Sequence, residues 1–464
     1  MGKTTGFLDY RRNDNPSESP QKRITNFQEF HGALSAEKRM EQGARCMNCG
    51  VPFCQSTYGC PLHNLIPEWN DEIFAGNWSH ALSRLLKINS FPEFTGRVCP
   101  ALCENACICG MDDLHNAVTI RENELFVSEH AWANGLIKPE IPAVRTGKRV
   151  AVIGSGPSGL AVSDLLNRRG HFVTVYERDD IPGGLLMYGI PAMKLDKKVV
   201  ARRIEKMKAE GITFLCSTEV GKDISASRIL KQYDAVVLCC GARQTREVAH
   251  VDASMPGVFP ALEYLTESTK AVLEGRESTR TASGRHVLVI GNGDTATDCV
   301  ATAVRQGAKS VHQLVRKPRP VEGVRVWPYR PTGEKTAYGQ EEAAALYGSD
   351  PRLYETTVQE LLTDEAGNLR AARIRQGETE AEVPADMVLI AAGFSGAENN
   401  IAQVFGVSRD EKGRIGASDC TTENPKLFAC GDVRRGPSLV VWAIAEGRAC
   451  AHEVDRYLEG YTYL

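Results

Sequence analysis

The chain of 464 residues contains no apolar run approaching the roughly 18 to 20 residues that a helix needs to cross a bilayer. Its first fifteen residues are polar and contain no apolar core of the kind found in secretory signal peptides. The formal net charge is only -3, so no excess of positive charge favours nucleic acid or an anionic membrane as a partner. We therefore predict a cytoplasmic protein that binds neither nucleic acid nor a membrane.

Beyond residue 109 the chain also lacks a C-x-x-C pair, the usual motif of dithiol oxidoreductases. Cys239 and Cys240 are adjacent, and a disulfide between neighbours is strained. We interpret the scattered cysteines, such as Cys216, Cys239 and Cys240, as small buried apolar residues. Dithiol chemistry is therefore disfavoured.

Cysteine is nevertheless abundant, with fifteen residues in the chain. Such a number in a cytoplasmic protein favours metal or redox chemistry over disulfides when the cysteines cluster. Eight of them lie between residues 46 and 109: Cys46, Cys49, Cys54, Cys60, Cys99, Cys103, Cys107 and Cys109. Four-cysteine zinc sites are one explanation. The compact runs, with proline directly after Cys60 and Cys99, are more typical of 4Fe-4S ligation, so we predict two such clusters.

The length predicts several domains. Helical periodicity, for example in the segment that begins at Trp78 after a plausible cap at Asn77, predicts a helix-rich N-terminal region. A connector with two prolines at 138–142 then leads to a short apolar run at 149–153, which is typical of a buried parallel strand. From there the pattern alternates between strands and helices, as in an open α/β sheet.

A first nucleotide fingerprint follows this strand, with Gly154, Gly156 and Gly159 at the start of a helix. Glycines allow a tight turn and close approach to a pyrophosphate, which lies at the helix N-terminus. Glu177 ends the next predicted strand, at the spacing that suits hydrogen bonds to a ribose diol. This unit therefore predicts FAD binding.

A second unit carries Gly291, Gly293 and Ala296, with alanine in place of the third glycine. Its second strand ends in Arg316 and Lys317, where the first unit has an acidic residue. A guanidinium pairs with a 2'-phosphate, whereas a carboxylate repels it. The second unit therefore predicts NADPH, although Arg316 is also explained as an ordinary surface cation.

Three further segments end in glycine after an apolar run, at 236–241, 388–393 and 429–431. They include Gly241 and Gly431, and Asp432 follows the last of them at the start of another helix. Such segments close a flavin domain around an inserted nicotinamide domain. We predict an α/β protein with a helical iron-sulfur domain (1–145), a flavin domain in two parts (146–282 and 396–464) and an NADPH domain between them (283–395).

The irregular stretch at 318–352 contains a charged helix around residues 340–346. We interpret this helix as a solvated or partner-facing surface and assign no catalytic role to it. No residue of the chain is predicted to act as a general acid or base.

Several strings along the chain are characteristic of one family, namely CMNCGVPFC at 46–54, CPLHNLIPEWN at 60–70, GRVCP at 96–100, GGLLMYGIP at 183–191, GNGDTA at 291–296 and GDVRRG at 431–436. Over nearly its whole length the sequence resembles the small (beta) subunit of bacterial NADPH-dependent glutamate synthase. It is also similar to the N-terminal half of dihydropyrimidine dehydrogenase. The resemblance adds Gly184 and Leu185 to the flavin site, and Asp294 to the nicotinamide site.

The resemblance further implies an interleaved set of cluster ligands. One 4Fe-4S cluster would take Cys46, Cys49, Cys54 and Cys107, and the other Cys60, Cys99, Cys103 and Glu124. Spacing alone nominates Cys109 as the eighth ligand, and the family pattern has no cysteine there. Glu124 is favoured, and Cys109 stays the alternative.

The function implied by the resemblance is electron input. Hydride would pass from NADPH to FAD, and single electrons would pass through the two clusters to the large (alpha) subunit, which forms glutamate from glutamine and 2-oxoglutarate. One alternative is the same module serving a ferredoxin or another flavoprotein. A third hypothesis is a zinc-stabilised binding module that senses the NADP pool without turnover.

Overall fold

The computed structural model describes residues 3–321, 326–329 and 337–464. Up to residue 145 the described chain consists mainly of helices and loops. Its helices are α1 (Gly6–Asp9), α2 (Pro20–Arg23), α3 (Ala36–Ala44), α4 (Ile66–Phe74), α5 (Trp78–Ile88), α6 (Pro92–Val98), α7 (Leu102–Asn105) and α8 (Ile120–Ala133). Short 3-10 turns occur at Phe53–Gln55, Ile108–Gly110 and Leu114–Asn116.

Helix α5 begins at Trp78, as predicted, because its apolar residues recur every three or four positions and form one buried face. Asn77 precedes the helix, but its side chain does not cap it. Instead, the Asn77 amide donates a hydrogen bond of 2.9 Å to Glu72. The core of this region includes Ile66, Trp69, Ile73, Ala81, Leu82 and Leu85.

The first nucleotide-binding unit starts with the predicted strand. Its elements are β1 (Arg149–Ile153), α9 (Pro157–Arg169), β2 (Phe172–Tyr176), α10 (Leu185–Tyr188), α11 (Lys197–Ala209), β3 (Thr213–Leu215), α12 (Ala226–Gln232) and β4 (Ala235–Leu238). Strand β1 pairs in parallel with β2 on one side and with β4 on the other. All of its residues after the first are buried, which explains the unbroken apolar run.

The second unit follows directly. Its elements are β5 (Gln244–Thr245), β6 (Val258–Pro260), α13 (Ala261–Glu274), β7 (His286–Ile290), α14 (Asp294–Arg305), β8 (Ser310–Val315), α15 (Tyr338–Tyr347), β9 (Arg352–Tyr354), β10 (Thr356–Thr363), β11 (Leu369–Gln376), β12 (Thr379–Pro384), β13 (Met387–Ile390) and β14 (Phe394–Gly396). A parallel sheet has the order β6-β13-β7-β8-β9, and a separate antiparallel sheet has the order β10-β11-β12. Part of the predicted irregular stretch, residues 322–325 and 330–336, lies outside the described residues.

The chain then returns to the first sheet. The last elements are α16 (Asn399–Phe405), β15 (Leu427–Ala429), α17 (Asp432–Arg435) and α18 (Val440–Glu459). Strand β15 pairs in parallel with β4 and completes the order β15-β4-β1-β2-β3. The second unit is therefore inserted in the first, and the predicted fold class is confirmed.

The start of the inserted unit differs from the prediction at residue 283. Strand β6 pairs in parallel with β13, and Tyr264 of α13 lies in the core of the second unit. A strand of three residues is too short to show a hydrophobic pattern, so the sequence does not reveal it. Strands β5 and β14 form a two-stranded antiparallel ribbon at the two ends of the second unit. We infer that the inserted unit begins at β5 rather than at residue 283.

Helix α15 is the charged helix that the sequence predicts to be solvated or partner-facing, and for Glu342 this prediction is wrong. The Glu342 carboxylate is fully buried and accepts hydrogen bonds from Arg23 at 2.7 Å and from Arg305 at 3.0 Å. These two cations compensate a charge that could not otherwise be buried. Arg23 lies 319 residues away in the chain, so sequence spacing does not indicate the contact.

A second buried ion pair joins the iron-sulfur region to the first nucleotide unit. Glu93 of α6 and Arg203 of α11 are both almost inaccessible to solvent. The Arg203 guanidinium donates two hydrogen bonds to the Glu93 carboxylate, at 2.5 and 2.9 Å. Bidentate geometry of this kind holds two surfaces in one relative orientation.

Candidate functional site

The loop after β1 has the geometry of a nucleotide fingerprint. Gly154 has a φ of +103°, and a Cβ there would lie 2.6 Å from the carbonyl oxygen of Cys239. A Cβ at Gly159 would lie 2.1 Å from the carbonyl oxygen of Gly154, so glycine lets α9 pack against the loop. A Cβ at Gly156 would meet no atom within 4 Å. Two glycines therefore serve close packing, and the third leaves space beside the helix N-terminus for a ligand.

This loop opens into a cleft. Among the lining residues are seven that the sequence analysis places at the flavin site: Gly154, Gly156, Glu177, Gly184, Leu185, Gly241 and Asp432. They come from segments far apart in the chain and meet at the carboxyl ends of β1, β2 and β4. This is where open parallel sheets bind nucleotides.

Glu177 lies at the end of β2 and is 5% exposed. Its carboxylate accepts a hydrogen bond of 2.9 Å from the backbone N–H of Ser155 and one of 2.5 Å from the Ser155 hydroxyl. It also accepts a bond of 2.9 Å from the N–H of Asp179. Glu177 thus stabilises the fingerprint loop in addition to lining the cleft.

On the opposite wall, Gly431 has a φ of +76° and lies against Ser158, whose Oγ would be 2.5 Å from a Cβ at that position. Asp432 follows it and accepts a hydrogen bond of 2.6 Å from the Ser438 hydroxyl. Burial raises the pKa of Asp432. Gly431 therefore allows close packing, while the carboxyl group of Asp432 reaches the cleft.

The sequence analysis missed some residues that line the cleft, among them Arg178, Arg243 and Glu398. Arg178 donates to Glu398 at 2.6 Å. Its position directly after Glu177 is a signal that could have been used, whereas Glu398 comes from the distant return of the chain. Cys239 is buried as predicted, but Cys240 and Cys216 are partly exposed, because one borders the cleft and the other follows the edge strand β3.

The second fingerprint has the same division of roles. Gly291 has a φ of +142°, and a Cβ there would lie 2.2 Å from the carbonyl oxygen of Ala391. Gly293 has free space around it, and Asp294 is exposed at the start of α14. Ala296 is fully buried, so a methyl group fits where the first unit has its third glycine.

Arg316 and Lys317 are exposed directly after β8. Their contact with a 2'-phosphate stays a prediction. Two further cations lie near this strand end. The guanidinium groups of Arg319 and Arg352 lie 5.5 and 5.8 Å from the ring centre of Tyr354, which pairs with Val315 of β8. Arg352 forms an ion pair with Asp350, so Arg319 is the cation near β8 that sequence reasoning did not include.

The first group of cysteines, here called the outer set, consists of Cys46, Cys49, Cys54 and Cys107. All four line one small cavity together with Cys109. Burial raises the pKa of Cys46 to about 12. Thiolates in such surroundings need a positive partner, which iron provides.

The second group, here called the inner set, consists of Cys60, Cys99, Cys103 and Glu124. Cys60 and Cys99 pack against an apolar core in which Leu62, Phe91 and Phe94 of the iron-sulfur region join side chains of the flavin unit. Burial raises the pKa of Cys60 to about 11 and that of Cys99 to about 12. The two sets are adjacent, because the N–H of Cys60 donates a hydrogen bond of 2.8 Å to the carbonyl oxygen of Cys54.

The two candidates for the eighth ligand lie in different places. Cys109 borders the outer cavity, and its thiol donates a hydrogen bond of 3.7 Å to the carbonyl oxygen of Arg45. Glu124 is nearly buried, accepts hydrogen bonds from Thr95 and from Asn64 at 3.3 Å, and has a pKa raised by burial to about 7. Among the described residues, no three cysteine, histidine or acidic side chains lie close enough to hold a single metal ion.

Two family models match the chain. One is described as dihydropyrimidine dehydrogenase domain II, 4Fe-4S cluster, and covers residues 23–136. The other, pyridine nucleotide-disulphide oxidoreductase, covers residues 148–447. The glutamate synthase [NADPH] small chain of Bacillus subtilis is 45% identical, over the whole of both chains. The chain belongs to the glutamate synthase small-chain family.

Other members of this family share its full extent. The small chain of Escherichia coli K12 is 37% identical over 98% of both chains. The glutamate synthase [NADH] of Schizosaccharomyces pombe is 44% identical over all of this chain, which matches only 23% of that longer protein. Among solved structures, FprA from Mycobacterium tuberculosis in complex with NADPH has a TM-score of 0.54 at 16% identity, covering 68% of this chain and 85% of that one. That likeness shows the fold of the nucleotide units.

As a member of the small-chain family, the protein is an oxidoreductase that uses FAD, a pyridine nucleotide and 4Fe-4S clusters. The donor sets in the structure fit these groups. The flavin cleft offers a helix N-terminus beside Gly156, which leaves space for a ligand. Each cysteine set offers buried sulfur ligands that suit iron. In the described part of the chain, no helix is both long and apolar enough to span a membrane.

Proposed function

We propose that the chain takes electrons from NADPH and delivers them to the large chain of glutamate synthase, which forms glutamate from glutamine and 2-oxoglutarate. When bound, FAD accepts hydride and the 4Fe-4S clusters carry single electrons. The protein contributes binding, orientation and electrostatics, and no side chain acts as a general acid or base. The relatives named small chains support a large-chain partner, and the cytoplasmic location is part of the proposal.

The observation that carries this proposal is the placement of the two cysteine sets. Cys60 and Cys99 of the inner set pack against an apolar core that the flavin unit shares with the iron-sulfur region, and the outer set is their neighbour through the hydrogen bond between Cys60 and Cys54. This packing supports an order in which the inner set lies between the flavin cleft and the outer set. The buried pair of Glu93 and Arg203 fixes the iron-sulfur region in this orientation.

In the flavin cleft, we assign the pyrophosphate to Gly154, Gly156 and the N-terminus of α9, where the helix dipole favours an anion. Glu177 is assigned to the ribose, and Gly184, Leu185 and Gly241 to close contact with the flavin. Asp432 is assigned to the ribityl and phosphate region. Gly159 and Gly431 act through packing, because a side chain at either would collide with the loop or with α9.

For the clusters, we assign Cys46, Cys49, Cys54 and Cys107 to one and Cys60, Cys99, Cys103 and Glu124 to the other. Cys109 borders the cavity that already has four cysteines, which supports Glu124 as the eighth ligand. The Cys109 thiol instead donates a hydrogen bond to the carbonyl oxygen of Arg45 at the edge of this cavity.

For the nicotinamide nucleotide, we assign the phosphates to Gly291, Gly293, Asp294 and Ala296 at the start of α14, and the 2'-phosphate to Arg316 and Lys317. Named relatives include both NADPH and NADH enzymes. Arg316→Ala should remove a charge-assisted contact of about 1.5 to 3 kcal/mol, felt with NADPH and hardly with NADH. The steady-state kcat/KM for each nucleotide measures this, with Arg375→Ala as the control. Equal losses with both nucleotides would show that Arg316 serves the fold.

One relative favours an alternative acceptor. The Escherichia coli oxidoreductase AegA is 38% identical over 94% of this chain and carries no glutamate synthase name. The same module could therefore serve a ferredoxin or another flavoprotein. The acceptor that couples to NADPH oxidation distinguishes the two functions.

The purified protein tests the proposal directly. It should oxidise NADPH with ferricyanide but form no glutamate by itself. Addition of the large chain should make NADPH oxidation depend on glutamine and 2-oxoglutarate. Glutamate formation by the isolated chain, or coupling to a ferredoxin but never to the large chain, would refute the assignment. Iron and acid-labile sulfide analysis would separate both functions from a zinc-stabilised sensor.

A further inference from the structure

Large apolar side chains are exposed around the outer set. They are Val51, Tyr58, Met111, Val326 and Tyr329, here called the outer patch, and their exposed fractions range from 46% to 72%. Val51 lies in the loop between Cys49 and Cys54, and Met111 follows Cys109 by two residues. Val326 and Tyr329 come from the inserted nucleotide unit. The outer patch is therefore assembled from two domains.

Trp327 holds the two parts of the outer patch together. Its indole N–H donates a hydrogen bond of 3.4 Å to the carbonyl oxygen of Cys107, and its ring centre lies 4.7 Å from that of Phe53. Beside it, the ring of Tyr329 contacts the edge of Tyr58 at 5.5 Å between centres. Residues 326–329 thus lie directly against the loops of the outer set.

Single exposed apolar residues are common on protein surfaces, but a contiguous group of them marks an interaction site. Tyrosine and methionine are enriched at such interfaces, because a tyrosine ring is rigid and amphipathic and a methionine side chain adapts its shape. Cys49 of the outer set is only partly buried. A protein bound on the outer patch would therefore lie close to the outer set.

We propose that the outer patch is the docking surface for the large chain of glutamate synthase. This inference rests on the proposed function, since transfer of single electrons requires close approach of donor and acceptor. The relatives argue for this occupant, because in Schizosaccharomyces pombe and Saccharomyces cerevisiae this module matches 23% of one longer glutamate synthase polypeptide. The remainder of that polypeptide stays attached to the module, so the module has a permanent large neighbour.

Two matched double variants of the holoprotein test the docking surface. Val326→Asp with Tyr329→Asp places charge on the outer patch, outside the cysteine loops. Val144→Asp with Tyr463→Asp makes the same chemical changes at distant residues that are 77% and 82% exposed. For the patch variant, we expect the dissociation constant for the purified large chain to rise about 30-fold, as for loss of a central interface residue. The control should change by no more than about twofold.

Oxidation of NADPH by ferricyanide should stay within about twofold of the unmodified protein in both variants, because a small oxidant needs no docking surface. Unchanged binding of the large chain to the patch variant would overturn the docking proposal and leave the proposed function intact. A loss of self-association without a loss of large-chain binding would overturn it too and would make the patch an interface between copies. If the unmodified protein fails to couple to the large chain, the proposed function itself fails.

Discussion

The inner and outer sets offer almost the same ligand chemistry in opposite surroundings. Cys60 and Cys99 of the inner set pack against the core of the flavin unit, and Glu124 is enclosed by hydrogen bonds from Thr95 and Asn64. The outer set instead lies beneath exposed apolar side chains, and its cavity contains a fifth thiol, that of Cys109. The difference indicates a direction of electron transfer from the inner set to the outer set, because the inner set faces the flavin unit and the outer set faces the surface.

The largest expected effect comes from removing a ligand from either set. Cys99→Ser should leave the anaerobic bleaching of FAD by NADPH largely intact and abolish glutamate formation with the large chain, since the inner set lies between the flavin and the outer set. Stopped-flow absorbance measures the bleaching. Electron paramagnetic resonance shows whether the cluster held by the outer set is reduced.

Cys49→Ser is the matched change in the outer set. It should also abolish glutamate formation, but NADPH should still reduce the cluster held by the inner set. Reduction of the outer set in a folded Cys99→Ser protein would contradict the order of the two sets. Loss of FAD bleaching in that protein would mean that the inner set positions the flavin.

The next effect distinguishes the two candidates for the eighth ligand. Glu124→Ala should cost the protein about half of its iron. The inner set loses a ligand, and Thr95 and Asn64 lose the carboxylate that accepts their hydrogen bonds. Cys109→Ser should keep all of the iron, since no ligand is lost and a hydroxyl group can still donate to the Arg45 carbonyl. Iron and sulfide analysis measures both. The opposite pattern would mean that Cys109, and not Glu124, is the eighth ligand, and the two sets as defined here would then be wrong.

A smaller effect concerns the attachment of the inner set to the flavin unit. Glu93→Gln leaves the Arg203 charge buried without a counter-charge and should destabilise the protein by about 3 to 5 kcal/mol. Glu382→Gln, in a half-exposed pair with Arg370, should cost only about 0.2 to 1 kcal/mol. Urea unfolding followed by circular dichroism measures both. Equal losses in the free energy of unfolding would argue against the view that the pair of Glu93 and Arg203 holds the iron-sulfur region to the flavin unit.

The smallest effect concerns the outer set alone. Trp327→Phe keeps an aromatic ring beside Phe53 but removes the N–H that donates to the Cys107 carbonyl. A hydrogen bond of 3.4 Å is long, so its loss should accelerate iron release to a chelator by only about two- to fivefold. Electron paramagnetic resonance shows whether the cluster held by the outer set or the one held by the inner set loses its iron. Equal acceleration at the inner set would mean that Trp327 supports the whole iron-sulfur region.

Several features of this protein are determined by sequence alone because they depend on neighbouring residues. Glycines at fixed spacing between an apolar strand and a helix predict both fingerprints, and the structure has β1, α9, β7 and α14 at those places. The grouping of eight cysteines before residue 110 predicts the metal-bearing region. Strand β6 escaped prediction because three residues carry too little pattern, and this misplaced the start of the inserted unit.

Only the tertiary structure decides contacts between distant segments. Glu342 is in a charged helix that sequence reasoning leaves in solvent, and it is buried because Arg23 and Arg305 reach it from elsewhere in the chain. Cys109 lies near Cys107 in sequence, yet its place beside the outer set becomes visible only when the loops fold around one cavity. The outer patch exists because Trp327 of one domain packs on Phe53 of another. Local spacing fixes backbone geometry, whereas burial and partnership depend on surfaces that meet only in the folded chain.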